Sequence, residues 1–359
     1  MSFERENIRR MSGYASGEQP EDESTLKLNT NENPYPPSPQ VSRVLATFKA
    51  ESLRRYPPAT AARFRGLAAE LHHVSPDNVI ATRGGDELLR LVITTFVDPG
   101  ECIGVTQPTY SLYPVLAQIQ NCPIVEVPLL ANWALPENFA EQMNQSKVKL
   151  TLLVNPHAPT GVLLNYDRIS RLASELDSIL LLDEAYIDFV DGPYPTTELI
   201  NEHDNLIILR TLSKGYSLAG LRFGYGIAAA PLIDPMMSKT RDSYNLDHLS
   251  QLIAEAAILD QAHAKKNCLQ VIDERRRLQN AMLSLGLTSP PSQANFLLVS
   301  VPASCGVSAV DIYQKLKEKH ILVRHFADPR LDDKLRISIG TIEENDRLLS
   351  TLEHILDPS

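Results

Sequence analysis

Leu206-Ile207-Ile208-Leu209 runs without a polar break into Arg210-Thr211-Leu212-Ser213-Lys214, and Arg222 follows the lysine eight residues later. A lysine that ends a buried segment loses solvation, becomes less basic, and can form a Schiff base with an aldehyde. Other apolar runs end in a comparable way. Asn78-Val79-Ile80-Ala81-Thr82 leads to Gly84-Gly85-Asp86-Glu87, Cys102-Ile103-Gly104-Val105 to Tyr110, Leu150–Val154 to Asn155, and Ile179–Leu182 to Asp183 and Tyr186. Glycines that open a helix expose N–H groups to a phosphate. Ser213 and Arg222 can add a hydroxyl and a bidentate fork to the same dianion. An aspartate at a strand end can hold a proton on a pyridine nitrogen, and a tyrosine can stack on the ring.

Phosphate, aldehyde, phenolic oxygen and pyridine nitrogen occur together in one cofactor, pyridoxal 5′-phosphate. On this reading Lys214 holds the aldehyde carbon and Arg222 the phosphate of one molecule. Each residue alone has an ordinary explanation. Lys214 is otherwise a solvated loop lysine, Asp183 a helix N-cap, Asn155 before proline the start of a turn, and Tyr110 core filling. The coincidence at five strand ends carries the argument.

The elements that must position these groups read as α/β. The runs are apolar throughout rather than alternating, as expected for parallel strands covered on both faces, and amphipathic segments such as Arg83–Phe96 lie between them. In such sheets ligands bind beyond the carboxyl ends of the strands. Residues 1–40 read as an irregular arm, 41–260 as the large cofactor-binding domain, and 261–359 as a smaller α/β domain. A long helix is expected over about 247–285, another near 308–319, and a last one from about 342.

With 359 residues, 43% of them hydrophobic, the chain can bury a sizeable core; its net charge of −10 argues against nucleic acid or an anionic membrane as partner. The four cysteines form no CxxC pair and read as reduced thiols. No metal is expected from the histidine spacing, and adjacent His72-His73 suits a helix surface. No hydrophobic leader or membrane-span-length run is visible, so a soluble cytoplasmic protein is expected.

LNTNENPYPPSP, RYPP, NPHAPTG, DEAYIDF, TLSKGYSLAGLRFGYG and LRISIGT occur in this order from the arm to the last domain. They resemble the fold type I (aspartate-aminotransferase-fold) pyridoxal-phosphate enzymes, and within them the histidinol-phosphate aminotransferase branch. The resemblance implies a PLP-dependent aminotransferase of histidine biosynthesis, with histidinol phosphate and glutamate or 2-oxoglutarate as amino donor and acceptor, working as a homodimer with shared active sites. It implies Lys214 as Schiff-base lysine and proton shuttle, and Asp183 as partner of the ring nitrogen. Asn155 and Tyr186 would contact the phenolic oxygen, and Tyr110 would stack on the ring. Gly85 and Asp86 through their backbones, with Thr211, Ser213 and Arg222, would bind the phosphate, which Tyr56 would reach from the partner subunit. Arg324 and Arg336 would bind substrate anions, and Tyr14 would meet the neighbouring subunit's substrate. The arm, residues 1–40, would contribute to the small domain and to a dimer contact.

Three departures from the family pattern stand out. His157 and Ala158 replace two asparagines of the usual NPNNPTG, the phosphate turn reads GGDE, and LVRHF lacks the usual acidic continuation. An aromatic amino-acid aminotransferase and a threonine-phosphate decarboxylase of the same fold stay open as alternatives, as does a regulator that binds the cofactor without catalysis. The short acidic arm offers no DNA-binding domain for the last of these.

Overall fold

Neighbouring residues of each central run go to opposite faces of one sheet. Val79 and Ala81 pack on one side and Ile80 on the other; Leu180 and Leu182 oppose Leu181, and Leu206 and Ile208 oppose Ile207. Two apolar layers therefore cover the sheet, which is why the runs show no polar alternation. Each such fully buried Leu or Ile contributes about 1.5–3 kcal/mol. The computed structural model describes residues 3–357 apart from 21 and 23, so the extreme ends of the expected arm and C-terminal domain lie outside the described residues.

The arm supplies β1 (Leu26–Lys27). The large sheet is built from β2 (Val79–Thr82), β3 (Cys102–Gln107), β4 (Ile124–Pro128), β5 (Val148–Val154), β6 (Ile179–Asp183), β7 (Leu206–Thr211) and β8 (Gly224–Ala228). Their order is β2-β8-β7-β6-β5-β3-β4. Only β8 runs against its neighbours β2 and β7; the other pairings are parallel. The five strands read from the sequence thus share one direction and end on one edge.

Further along lie β9 (Phe296–Ser300), β10 (Ile321–Leu322), β11 (Arg324–His325) and β12 (Lys334–Ser338). A three-stranded antiparallel sheet has the order β11-β12-β9. Arg275, almost wholly buried, donates to Phe189 O at 2.8 Å and Ala294 O at 3.0 Å, and pairs with Asp191 at 3.2 Å. It fastens the turn after β6 to the chain entering β9. All of the carbonyls it reaches would otherwise be buried acceptors in need of partners.

Several expectations are corrected. The arm is not wholly irregular: it contains a short helix at Glu6–Arg10, and β1 pairs in parallel with β10. The long helix is two, His248–Leu259 and Gln261–Ser284. Asp260 interrupts them, its carboxylate accepting His263 N–H and the Ser38 hydroxyl. The later helices, Ala309–Glu318 and Ile342–Leu356, lie where they were expected. His72, just past the helix Ala62–Leu71, is half-buried rather than fully at the surface: its Nε2 lies 2.9 Å from the Tyr225 hydroxyl, and burial pushes its pKa down to about 3. Among the described residues no helix is long and apolar enough to cross a membrane.

The reversing strand β8 begins at Gly224, where an added Cβ would lie 2.8 Å from Gly84 C and 2.9 Å from Gly85 N. Both are backbone atoms at the start of the helix Gly84–Phe96, and neither can swing aside. Gly224→Ala is therefore expected to lower stability by about 1–3 kcal/mol in urea denaturation, whereas a wild-type midpoint would show that this approach is not constrained.

Candidate active site

A cavity of about 440 Å³ lies where the parallel strands end, and its wall draws on the arm, the large sheet and the β11–β12 pair. Asp183, the last residue of β6, is 4% exposed on its floor. One carboxylate oxygen accepts the Tyr113 hydroxyl at 2.9 Å and the other accepts Ala185 N–H at 3.1 Å. Burial drives its pKa up to about 6, against the pull of these two donors. Tyr113 escaped the sequence reading. It sits in the helix Leu112–Gln120, three residues after Tyr110, where its spacing looks like ordinary core.

Lys214 follows β7, the strand next to β6. Its Nζ donates to Thr30 O at 3.0 Å and stands 5.8 Å from the Tyr186 ring centroid. Burial, and after it the charge of Arg336, lower its pKa to about 8. The NTNENP stretch of the arm proves to be the other half of this locale. Asn33 Nδ2 donates to Lys214 O at 3.2 Å, and Asn31 Nδ2 to the Tyr186 hydroxyl at 3.1 Å. Asn31 is itself fixed, its N–H donating to Ser338 Oγ at 2.8 Å and its carbonyl accepting from Asn295 at 2.9 Å. Neither Asn31 nor Thr30 has a sequence spacing that announces this; only the β1–β10 pairing brings the arm here.

At the opposite corner the helix Gly84–Phe96 starts beside Arg222. Gly84 has φ +76°, and an added Cβ would meet the Arg222 guanidinium at 2.8 Å. Arg222 pairs with Asp86 at 3.2 Å and approaches Ser213 Oγ at 3.5 Å. The Thr211 hydroxyl donates to Ser213 Oγ at 2.9 Å and accepts Ser213 N–H at 3.1 Å. Gly85, Asp86, Thr211, Ser213 and Arg222 all line the cavity. Helix N–H groups, hydroxyls and a guanidinium around one corner make an anion cradle.

The third sheet supplies two more cations. β11 and β12 place Arg324 directly opposite Arg336. Arg336 donates through Nη2 to Asn29 O at 2.9 Å, while its buried Nε has no hydrogen-bond partner. Two guanidinium groups on one cavity wall, one of them with an unsatisfied donor, favour an anionic ligand.

Tyr110 lines the same space, edge-on to Tyr113 at 5.5 Å and to Tyr14 at 6.1 Å. Tyr14 thus borders its own chain's cavity. Two expected residues are not on the wall. Asn155 lies beneath it: its Nδ2 donates to the Tyr194 hydroxyl at 2.9 Å and its Oδ1 accepts Leu164 N–H at 2.8 Å. Tyr56 stands outside, 79% exposed and stacked on Tyr244 at 4.4 Å.

His157, the unusual residue of NPHAPTG, is buried with a definite tautomer. Nε2 lies 3.1 Å from Pro108 O, which can only accept, so Nε2 carries the hydrogen. Nδ1, 2.9 Å from Thr160 Oγ, then accepts the hydroxyl. Burial pushes its pKa down to about 4, which keeps the ring neutral. The departure therefore leaves the cavity floor intact and braces the turn that carries Tyr110.

These residues fit pyridoxal phosphate. The buried Asp183 carboxylate suits a protonated ring nitrogen, the anion cradle suits the phosphate, and Lys214 suits the aldehyde. The crowding at Gly84 keeps a side chain out of the cradle. Among the described residues no group of three His, Cys, Asp or Glu side chains could hold a metal ion.

Comparison with known proteins agrees with this geometry. The model of the family "Aminotransferase class I and II" matches residues 23–352. A chain from Trichormus variabilis named histidinol-phosphate aminotransferase 1 is 39% identical over 356 residues, covering 99% of each chain. A histidinol-phosphate aminotransferase from Citrifermentans bemidjiense is 42% identical over 353 residues, covering 98% of each. The crystal structure of histidinol-phosphate aminotransferase from Sinorhizobium meliloti in complex with pyridoxal-5′-phosphate superposes with a TM-score of 0.86 at 25% identity, covering 93% of this chain and 91% of that one.

Because burial and the Arg336 charge both favour the neutral amine, acylation of Lys214 in cofactor-free protein is expected to rise with pH through about 8. Arg336→Gln removes the second influence and is expected to move that midpoint upward. Competitive labelling read by mass spectrometry checks both; a midpoint near the ordinary 10.5 would contradict the assignment.

Proposed function

The chain belongs to the class I and II aminotransferase family and is a pyridoxal-phosphate-dependent aminotransferase; from that premise we propose that it exchanges an amino group between histidinol phosphate and 2-oxoglutarate, a step of histidine biosynthesis. The observation that carries the reading is the Arg324–Arg336 pair on the wall of the cavity that holds Lys214. The substrate is taken from the relatives' names, and the pair explains how one site accommodates it. Histidinol phosphate carries a phosphate and no α-carboxylate, whereas 2-oxoglutarate carries two carboxylates. Guanidinium forks match both kinds of anion, so the same wall receives each substrate in turn.

When bound, pyridoxal phosphate supplies an aldehyde that condenses with amines and a ring that accepts electrons as the substrate's C–H bond breaks. The protein's own groups do the rest. Lys214 Nζ would hold the aldehyde carbon and, once displaced by the amine, take the proton from the carbon that bears nitrogen. A pKa of about 8 leaves a useful neutral fraction near physiological pH. Asp183, oriented by Tyr113 and Ala185, would keep a proton on the ring nitrogen, and that positive charge would in turn hold its carboxylate ionised. Tyr186, aimed by Asn31, would donate to the phenolic oxygen, and Tyr110 would pack on the ring. Asn155 would act from below the floor by fixing the turn at the end of β5.

The exposed Tyr56 supports a homodimer in which this residue reaches the partner subunit's cofactor phosphate; a closed two-fold arrangement satisfies both sites at once. We take residues 41–260 as the cofactor-binding domain and 261–359 as the smaller one, with the arm 1–40 joined to it through β1. A cytoplasmic location belongs to the same reading.

Histidinol phosphate, phenylalanine and threonine phosphate, each supplied with 2-oxoglutarate, separate this function from its two neighbours. Glutamate is expected from histidinol phosphate with the largest kcat/KM and no CO2. A preference for phenylalanine, or CO2 from threonine phosphate, would overturn the substrate assignment.

A further inference from the structure

Arg324 and Arg336 are joined by the connection 325–335, which carries Phe326, Asp328 and Leu331 into the cavity wall. Its central cation is Arg330, which turns away from its own sheet. Nη1 donates to Gln107 O at 3.1 Å and Leu129 O at 2.8 Å, and Nη2 donates to Leu130 O at 3.0 Å. The guanidinium carbon lies 4.8 Å from the centroid of the Trp133 ring. Three carbonyls and an aromatic face match a planar fork, a combination that an ammonium does not reproduce.

Both sides of this contact are braced. Asp328 accepts Arg330 N–H at 2.8 Å, Leu331 N–H donates to Asp328 O at 2.8 Å, and Leu331 is 3% exposed. On the far side Leu129 N–H donates to Gln107 O, and Trp133 N–H to Leu130 O. Gln107 ends β3, and the chain continues directly through Pro108 to Tyr110. The contact therefore ties the segment bearing a substrate-binding arginine to the turn bearing the ring-packing tyrosine. A substrate anion held by Arg324 is placed relative to the reacting centre only as well as this tie is held.

We propose that Arg330 is a positioning residue for amino transfer, latching the Arg324–Leu331 segment onto the rim formed by Gln107, Leu129, Leu130 and Trp133. The proposal rests on the reading of Arg324 as a substrate-binding residue. Arg330 touches neither cofactor nor substrate in this role; it acts through the two groups it joins.

The chain has one tryptophan, so its emission reports the latch without a label. The holoenzyme and its Arg330→Ala and Arg330→Lys variants are compared in steady-state kinetics, acrylamide quenching of Trp133 and affinity for pyridoxal phosphate. R330A is expected to raise KM for the amine and for 2-oxoglutarate about tenfold while kcat falls less than about threefold. Trp133 becomes more quenchable, cofactor affinity is unchanged, and R330K recovers only part of the KM. Unchanged KM with increased quenching would reduce Arg330 to a cover for the rim, and a parallel loss of cofactor affinity would make it a support of the large sheet; either overturns the proposal. Should R330A not fold, Trp133→Leu deletes the aromatic face and spares the three hydrogen bonds, and it must raise KM in the same direction or the latch is refuted. If the wild type turns over a different amine, the same comparison is made with that amine, so the latch and the substrate assignment fail separately.

Discussion

Two ionisable groups of opposite sign, a buried carboxylate and a half-buried amine, stand at the ends of adjacent parallel strands, each held by different neighbours. Asp183 on β6 is gripped by Tyr113 and Ala185, and Lys214 after β7 by the carbonyl of Thr30. Burial moves both toward their neutral forms, the acid up to about 6 and the amine down to about 8. Keeping such groups out of water is destabilising unless something compensates them. The compensation expected here is a ligand that brings a positive ring nitrogen to one and an aldehyde to the other. Such a ligand would add its own charge and bond to the hydrogen bonds that Asp183 and Lys214 already make.

Much of the remaining architecture serves that arrangement. Parallel pairing from β4 through β7 brings the strand ends to one edge, and the single reversal at β8 returns Arg222 beside the helix that starts at Gly84. The arm, threaded through β1 onto β10, delivers Thr30 to Lys214 and Asn31 to Tyr186. A separate small sheet, β11-β12-β9, presents Arg324 and Arg336. Substrate groups and cofactor groups are therefore assembled from segments far apart in the chain, and the Arg330 contact is one place where they are fastened together.

What the sequence disclosed follows from how each signal is encoded. Uninterrupted apolar runs marked β2, β3, β5, β6 and β7, and polar residues just past them marked Asp183, Lys214 and Tyr110. Glycine-rich β8 gave no such run, since Gly224 and Gly226 replace the apolar residues that periodicity counts. β1 spans two residues, too few for any period, and its pairing with β10 depends on contacts some 295 residues away. Tyr113 and His72 were missed for a common reason. One lies on a helix and the other just past a helix end, where spacing says only which face is buried, and their polar atoms find partners, Asp183 and Tyr225, that no local pattern specifies. Asn155 shows the converse case: it stands at the expected strand end, yet its amide serves Tyr194 and Leu164. Spacing locates a residue on an element but does not say which way a short amide will turn.

The central claim is that Lys214 is the group to which the cofactor's aldehyde is committed. Borohydride reduction of the holoenzyme, followed by proteolysis and mass spectrometry, tests it directly. The account predicts a single pyridoxyl adduct on the peptide containing Lys214. An adduct on another lysine, or an undiminished one in the Lys214→Ala protein, would contradict it.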